Sequence, residues 1–459
     1  MTADYRAGFR DLETESTIES LPVSGTVPEW LRGWLIRTTP ARWDVKGRKL
    51  NHWFDGLAML YSFSFEHGRV SFKSRFLQSE AYQAAQKSSE IRYKEFATNP
   101  RKSSGNTDND NVNISLMAGE FVALSETNTP ISFDPETLET RGHFKFEDGL
   151  KGQVSTAHPH FDFTRRESLN YLIDFSARSH YEIYRMPEAD RGRQLIARIP
   201  VDRPAYMHSF AVTQNYVILA EFPLTVNPLD LAFGKKPFID NYHWRPKDGT
   251  RFTVVARDSG KVNRIEHPAF FSFHHVNAYE QNGEIVLDMC VYEGASIVDA
   301  LRLENIMTKE QAFPLSYLRR FILNLQSNTA ASQQLSDRTI ELPRINYPRN
   351  STRPYRYVYG ATTDNMYDFL NGAVKIDLQN DTAAVWHEAG MYPGEPVFVA
   401  RPQSTEEDDG ILLSMVLDSK AGSSFLLGMD ARDLSGTFRA SLPHHIPLGF
   451  HGNFYFFSV

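Results

Sequence analysis

The stretch STAHPHFD, Ser155 to Asp162, sets two histidines on either side of a proline in a chain that carries one cysteine. Neutral imidazole is the commonest metal ligand in proteins, so metal binding is the chemistry to ask about. Residues i and i+2 of an extended chain share a face. Pro159 fixes its own φ and biases His158 away from helix. Two ligands so close would need a tight turn, so one imidazole is expected to point inward, with partners from elsewhere in the chain. Three other histidines stand in telling contexts: His208 in AYMHSFAVT, His274 at the head of FFSFHHVNAYE, and His451 in PLGFHGNFYFF. A lone His is ordinarily a surface residue or a satisfied core residue. These four do not follow the short HxxxH spacing of a helical zinc site. Gaps of about 50 residues and more suit ligands drawn from separate blades that meet on a propeller axis.

Three glutamates are similarly placed: Glu126 in VALSETN, Glu341 in IELPRINY and Glu395 in YPGEPVFV. Each, taken singly, reads as a surface or turn residue. An unpaired carboxylate would be costly to bury in such apolar surroundings. A metal-bound imidazole nearly always passes its second N–H to an acceptor. Four histidines with three acidic partners would form a coherent site.

The elements that must position them are short. MLYSFSFEHGRVSFKSRFL, NYLIDFS, YEIYRM, NYVILAEFPL, GEIVLDMCVYE, GILLSMVLD and SSFLLGMDA are of strand length and bounded by turn residues. Strands are predicted from about Leu35 to the C-terminus. Their number and spacing point to a propeller or a large barrel, without a sharp WD or kelch repeat. Helix is predicted within 78–96, and again over 297–326 with a break near Pro314. The runs NPRKSSGNTDNDN and LSDRTIELPRINYPRNSTRPYRY read as loops. No shift in composition marks a boundary, so residues 1–459 read as one domain with cap insertions near 78–97, 222–245 and 297–330. Within the second, 228–239 sets apolar side chains beside Lys235 and Lys236. It reads either as a loop packed on its own domain or as an apolar patch with a basic rim for peripheral membrane contact.

Composition excludes several classes. Charged residues are 23% and hydrophobic residues 41% of the chain, ordinary for a globular protein. A net charge of −7 argues against a nucleic-acid binder. An aromatic share of 13% suits β-rich packing around a large apolar cavity. Cys290, inside IVLDMCVYE, reads as a core residue and leaves no intrachain disulfide. The N-terminal MTADYRAGFRDLETE lacks the apolar core of a signal peptide. No run approaches the ~18 apolar residues of a membrane span. A cytoplasmic protein is expected.

At this point the motifs carry a resemblance. NHWFDGLAMLYSFSF, SETNTPISFDPETLET, TAHPHFD, MHSFAVT, FHHVNAYE, IELPRINY, GEPVFVARP, EEDDGILLSMV and FHGNF, in that order, resemble the carotenoid cleavage oxygenase family from about residue 20 onward. The likeness is greatest to the animal-type branch of retinal-forming β-carotene oxygenases and the retinoid isomerohydrolase. The resemblance implies an all-β fold, a seven-bladed β-propeller with a helical and loop cap over one face. It implies Fe(2+) held by His158, His208, His274 and His451, with Glu126, Glu341 and Glu395 hydrogen-bonded to three of the imidazoles. His160 and His275 are then the members of their doublets that do not ligate. It also implies a dioxygenase that cleaves a C=C bond of a carotenoid or apocarotenoid with O2, retinal being one product of this branch. The family's cavity positions suggest Ser125 and Tyr206 as substrate contacts; by type alone, Tyr206 reads equally well as a core aromatic. The alternative within the family is a stilbenoid-cleaving dioxygenase, against which Ser125 speaks, since the related stilbene-cleaving enzymes commonly carry a Lys before this Glu. The cysteine-bearing membrane loop of the eye enzyme has no counterpart, so isomerohydrolase activity is not expected.

Overall fold

The computed structural model describes residues 4–88, 90–100, 102–233, 236–308 and 310–457. Seven antiparallel sheets of four to six strands form the blades of a β-propeller. Blade one contains Gly33–Arg42, Leu57–Glu66 and Arg69–Phe76, and blade two runs from Asn113–Met117 to Thr140–His143. Blades three to six begin at Val154–Ser155, Ala211–Val212, His275–Gln281 and Glu341–Arg344. Blade seven contains Met391–Pro393, Gly410–Asp418 and Gly436–Ser441. The ring is closed twice. The C-terminal strand Gly452–Phe456 pairs with Gly33–Arg42 in blade one, and the early strand Val23–Gly25 pairs with Gly436–Ser441 in blade seven.

Middle strands such as Leu57–Glu66 and Gly410–Asp418 are buried on both faces because each blade is sandwiched between two others. They therefore read as nearly continuous apolar runs. Tight hairpins hold consecutive strands in register. Asn282–Gly283 and His67–Gly68 both take positive φ, the conformation a two-residue turn needs to match strand twist.

The predicted helix over 297–326 is mostly something else. Among its described residues only Ser296–Ala300 and Leu303–Ile306 are helical, and Tyr317–Asn324 is a strand of blade five. There Leu318, Phe321 and Leu323 are fully buried, and an aromatic with β-branched Ile322 favours extended chain. The loop predicted from Leu335 to Tyr357 contains the end of strand Thr329–Thr339 and the whole of Glu341–Arg344. Thr329–Thr339 is the exposed outer strand of its blade, so it carries no apolar period to read. Among its described residues the first cap segment is helical over Glu80–Ser88 only. The second holds a hairpin, Leu224–Val226 with Tyr242–Trp244, and the short helix Pro228–Phe233. Lys235 lies outside the described residues. Two short strands, Ser16–Ile18 and Val23–Gly25, precede the expected start at Leu35.

Candidate metal centre and cavity

The four histidines sit just before, or between, inner strands of four different blades. His158 lies between Val154–Ser155 and His160–Asp162 of blade three, and His208 precedes Ala211–Val212 of blade four. His274 precedes His275–Gln281 of blade five, and His451 precedes the closing strand of blade one. One nitrogen from each falls within 4.8 Å of the others. His158 Nε2 and His208 Nε2 are 3.0 Å apart, and His274 Nε2 and His451 Nε2 are 3.1 Å apart.

The glutamates come from the remaining three blades and fix the ring tautomers. His208 Nδ1–H donates to Glu126 Oε1 at 2.5 Å, His274 Nδ1–H to Glu341 Oε2 at 2.5 Å, and His451 Nδ1–H to Glu395 Oε1 at 2.7 Å. With Nδ1 protonated, Nε2 keeps its lone pair. His274 and His451 then present bare acceptors to each other with no proton between them. A metal ion answers that arrangement. Nitrogens roughly 2.1 Å from one ion and at right angles lie about 3 Å apart. Burial, reinforced by the neighbouring imidazoles, holds His158 and His451 well below the usual histidine range, so both stay neutral and ready to ligate.

The other member of each doublet faces elsewhere. His160 Nδ1 is 2.8 Å from the Tyr347 hydroxyl and its Nε2 donates to the Phe210 carbonyl at 2.9 Å. His275 Nδ1 is 2.7 Å from Ser209 Oγ.

The cluster opens on a cavity of about 380 Å³, walled by Phe54, Phe96, Phe273, Tyr292, Phe313 and Phe450 among others. Such a volume is within the range of small-molecule sites, roughly 300–1,000 Å³. Ser125 is on its wall, with its hydroxyl donated to Asp110 Oδ1 at 2.6 Å. Tyr206, expected on the wall, stands behind the histidine cluster: it is buried and its hydroxyl donates to Glu126 Oε1 at 2.8 Å. Pro228, Leu231 and Lys236 border the cavity.

Sequence reasoning passed over several residues that shape this site. In NHWFDG, the one-turn helix Trp53–Asp55 is fixed by a reciprocal cap: the Phe54 N–H donates to His52 Nδ1, while Asp55 accepts from the His52 N–H. Asp55 also takes the Ala97 N–H and the Thr98 hydroxyl. That anchoring holds Phe54 with its ring centroid 6.0 Å from His208 and 5.2 Å from Phe450. Arg37 and Arg344 were also missed; both lie against Glu395. The one signal for Arg37 was a cation in the middle of the apolar strand WLIRTTPAR.

Comparison with known proteins places this geometry in context. Residues 9–455 match the family described as retinal pigment epithelial membrane protein. The chain is 32% identical to the mitochondrial carotenoid-cleaving dioxygenase of Macaca fascicularis, covering 96% of this chain and 93% of that one. It is 32% identical to the chloroplastic carotenoid cleavage dioxygenase 8 of Arabidopsis thaliana, covering 97% and 85%. A solved structure of Synechocystis apocarotenoid oxygenase superposes with a TM-score of 0.89 at 28% identity, covering 98% of each chain.

Proposed function

The chain belongs to the carotenoid cleavage oxygenase family and is one of its C=C-cleaving dioxygenases, and we propose that His158, His208, His274 and His451 hold Fe(II) while Glu126, Glu341 and Glu395 orient three of them. The carrying observation is the pair of Nε2···Nε2 separations, 3.0 Å for His158 with His208 and 3.1 Å for His274 with His451, in a cluster where three of the four rings commit their outer protons to carboxylates. An all-imidazole donor set suits a borderline divalent ion such as Fe(II). The chemistry such an ion supplies is activation of O2 toward a double bond. One C=C and one O2 become two carbonyl groups, so the reaction balances with no external reductant.

The chain's own residues do the rest. The glutamates keep each Nδ1 protonated and each ring aimed inward. Phe54, Phe273 and Phe450 exclude water beside the histidines and give a conjugated chain flat surfaces to lie against. The substrate is an apolar polyene, and the cavity's modest volume favours an apocarotenoid over a full-length carotenoid. Loaded with Fe(II) and incubated with β-carotene, an apocarotenal and resveratrol, the protein should give aldehydes from the apocarotenal. Cleavage of resveratrol alone would overturn that assignment.

The helix Pro228–Phe233 beside the cavity is the contact through which substrate leaves a membrane. Leu229 is 57% exposed there and Lys236 adds a cation. Among the described residues no helix is long and apolar enough to cross a bilayer, so the contact is peripheral.

A further inference from the structure

One of the three glutamates is enclosed by cations. Arg37 Nη1 lies 3.3 Å from Glu395 Oε2 and 3.3 Å from the Glu395 carbonyl, and its Nη2 donates to the Phe450 carbonyl at 2.8 Å. Arg344 Nε lies 3.0 Å from Glu395 Oε1. Arg344 Nη2 reaches Glu395 Oε2 at 3.4 Å, Asn453 Oδ1 at 3.1 Å and the Gly452 carbonyl. The side chains of Arg37 and Glu395 are each 1% exposed, so water screens neither. The chain makes room for this: a Cβ at Gly452 would stand 2.3 Å from Arg37 Cγ, so the residue after His451 must be glycine for Arg37 to pass beneath it.

The other two carboxylates lack such company. Glu126 takes the Tyr206 hydroxyl and Glu341 the Leu342 N–H at 2.9 Å. Among the described residues, the only ion-pair partners of either are their own histidines.

We propose that Arg37 and Arg344 are positioning residues that hold the metal centre in the ferrous state, by neutralising Glu395 and so making His451 a poorer electron donor than His208 or His274. The inference rests on the Fe(II) reading above. Alone, three carboxylates would outweigh a divalent ion and match a trivalent one; one buried and one half-buried guanidinium against Glu395 reverse that balance, and beside a carboxylate shielded from water the difference is felt strongly. The consequence is functional. Cleavage of a C=C bond by O2 takes no net electron from the metal. An ion that instead passes one electron to O2, which leaves as superoxide, has nothing in the reaction to reduce it again.

Arg344 is the practical handle, because its side chain is 23% exposed whereas Arg37 is fully enclosed. Wild type, Arg344→Gln and Arg344→Lys would be loaded anaerobically with Fe(II) and moved to aerated buffer without substrate. Bound iron would be measured, along with growth of the ferric electron paramagnetic resonance signal per iron. All three should retain iron. Arg344→Gln should oxidise measurably faster than wild type. Arg344→Lys, which keeps the charge, should stay close to wild type. An Arg344→Gln oxidation rate equal to wild type would overturn the proposal. So would loss of iron from both variants alike, which would make Arg344 a mechanical clamp only. Wild-type protein that takes up no Fe(II) would instead refute the ferrous reading itself.

Discussion

Three of the four clustered histidines donate Nδ1–H to a carboxylate, whereas His158 is tied through its backbone, its main-chain N–H donating to Thr156 Oγ1 at 3.2 Å. Ligand and orienting partner should therefore fail differently. His274→Ala removes a donor nitrogen and should abolish iron binding in metal analysis. Glu341→Gln still accepts the Leu342 N–H; it should keep substantial iron while activity falls about 10- to 100-fold. His52, outside the histidine cluster, offers a pH test. Its Nε2–H donates to the Val298 carbonyl at 2.9 Å, and burial pushes its pKa down to about 3 from 6.5. Between those values the unfolded chain binds a proton that the folded chain refuses. Stability thus falls as pH drops, by about 1.4 kcal/mol per pH unit for this group. In His52→Gln that titration is gone and every other group cancels in the comparison. The stability gap between wild type and variant, measured by denaturant melts, should narrow from pH 7 to pH 4; a constant gap contradicts this.

Among the elements, the strand Tyr317–Asn324 was misread as helix because its apolar residues fit either period over so short a span. Its packing decides the matter: Phe321 is fully buried and stacks on Phe270 with centroids 4.8 Å apart. Phe321→Ala should cost about 3–5 kcal/mol in a melt, as for other buried aromatics. The helix Pro228–Phe233 makes the opposite case. Leu229 points to solvent, so Leu229→Glu should leave the melting temperature unchanged while lowering cosedimentation with anionic lipid vesicles. Equal sedimentation of both proteins would remove this helix as the docking element.

At the scale of the molecule, each blade gives one residue to the axis: histidines from blades one, three, four and five, and glutamates from two, six and seven. Site integrity therefore depends on ring closure. The strand Gly452–Phe456 both closes blade one and places His451. Deleting residues 452–457 should lose iron and cooperative unfolding together, because it exposes the open edge of Gly33–Arg42. His451→Ala should lose iron yet still melt cooperatively. Circular dichroism and metal analysis separate the two.

The sequence by itself determined the class of fold and named the four histidines that cluster in it. Turn residues, apolar strand runs and histidines in apolar contexts are local features, and the motif order linked them to a family. Which histidine of each doublet turns inward also followed from that resemblance. The tertiary structure decided what depends on partners distant in the chain. It assigned Tyr206 to Glu126 instead of the cavity wall, drew the polar strand Thr329–Thr339 out of an apparent loop, and set Arg37 and Arg344 around Glu395. Propensity and periodicity report a residue's neighbours along the chain; a buried charge is placed by the counter-charge that closure of the ring brings to it.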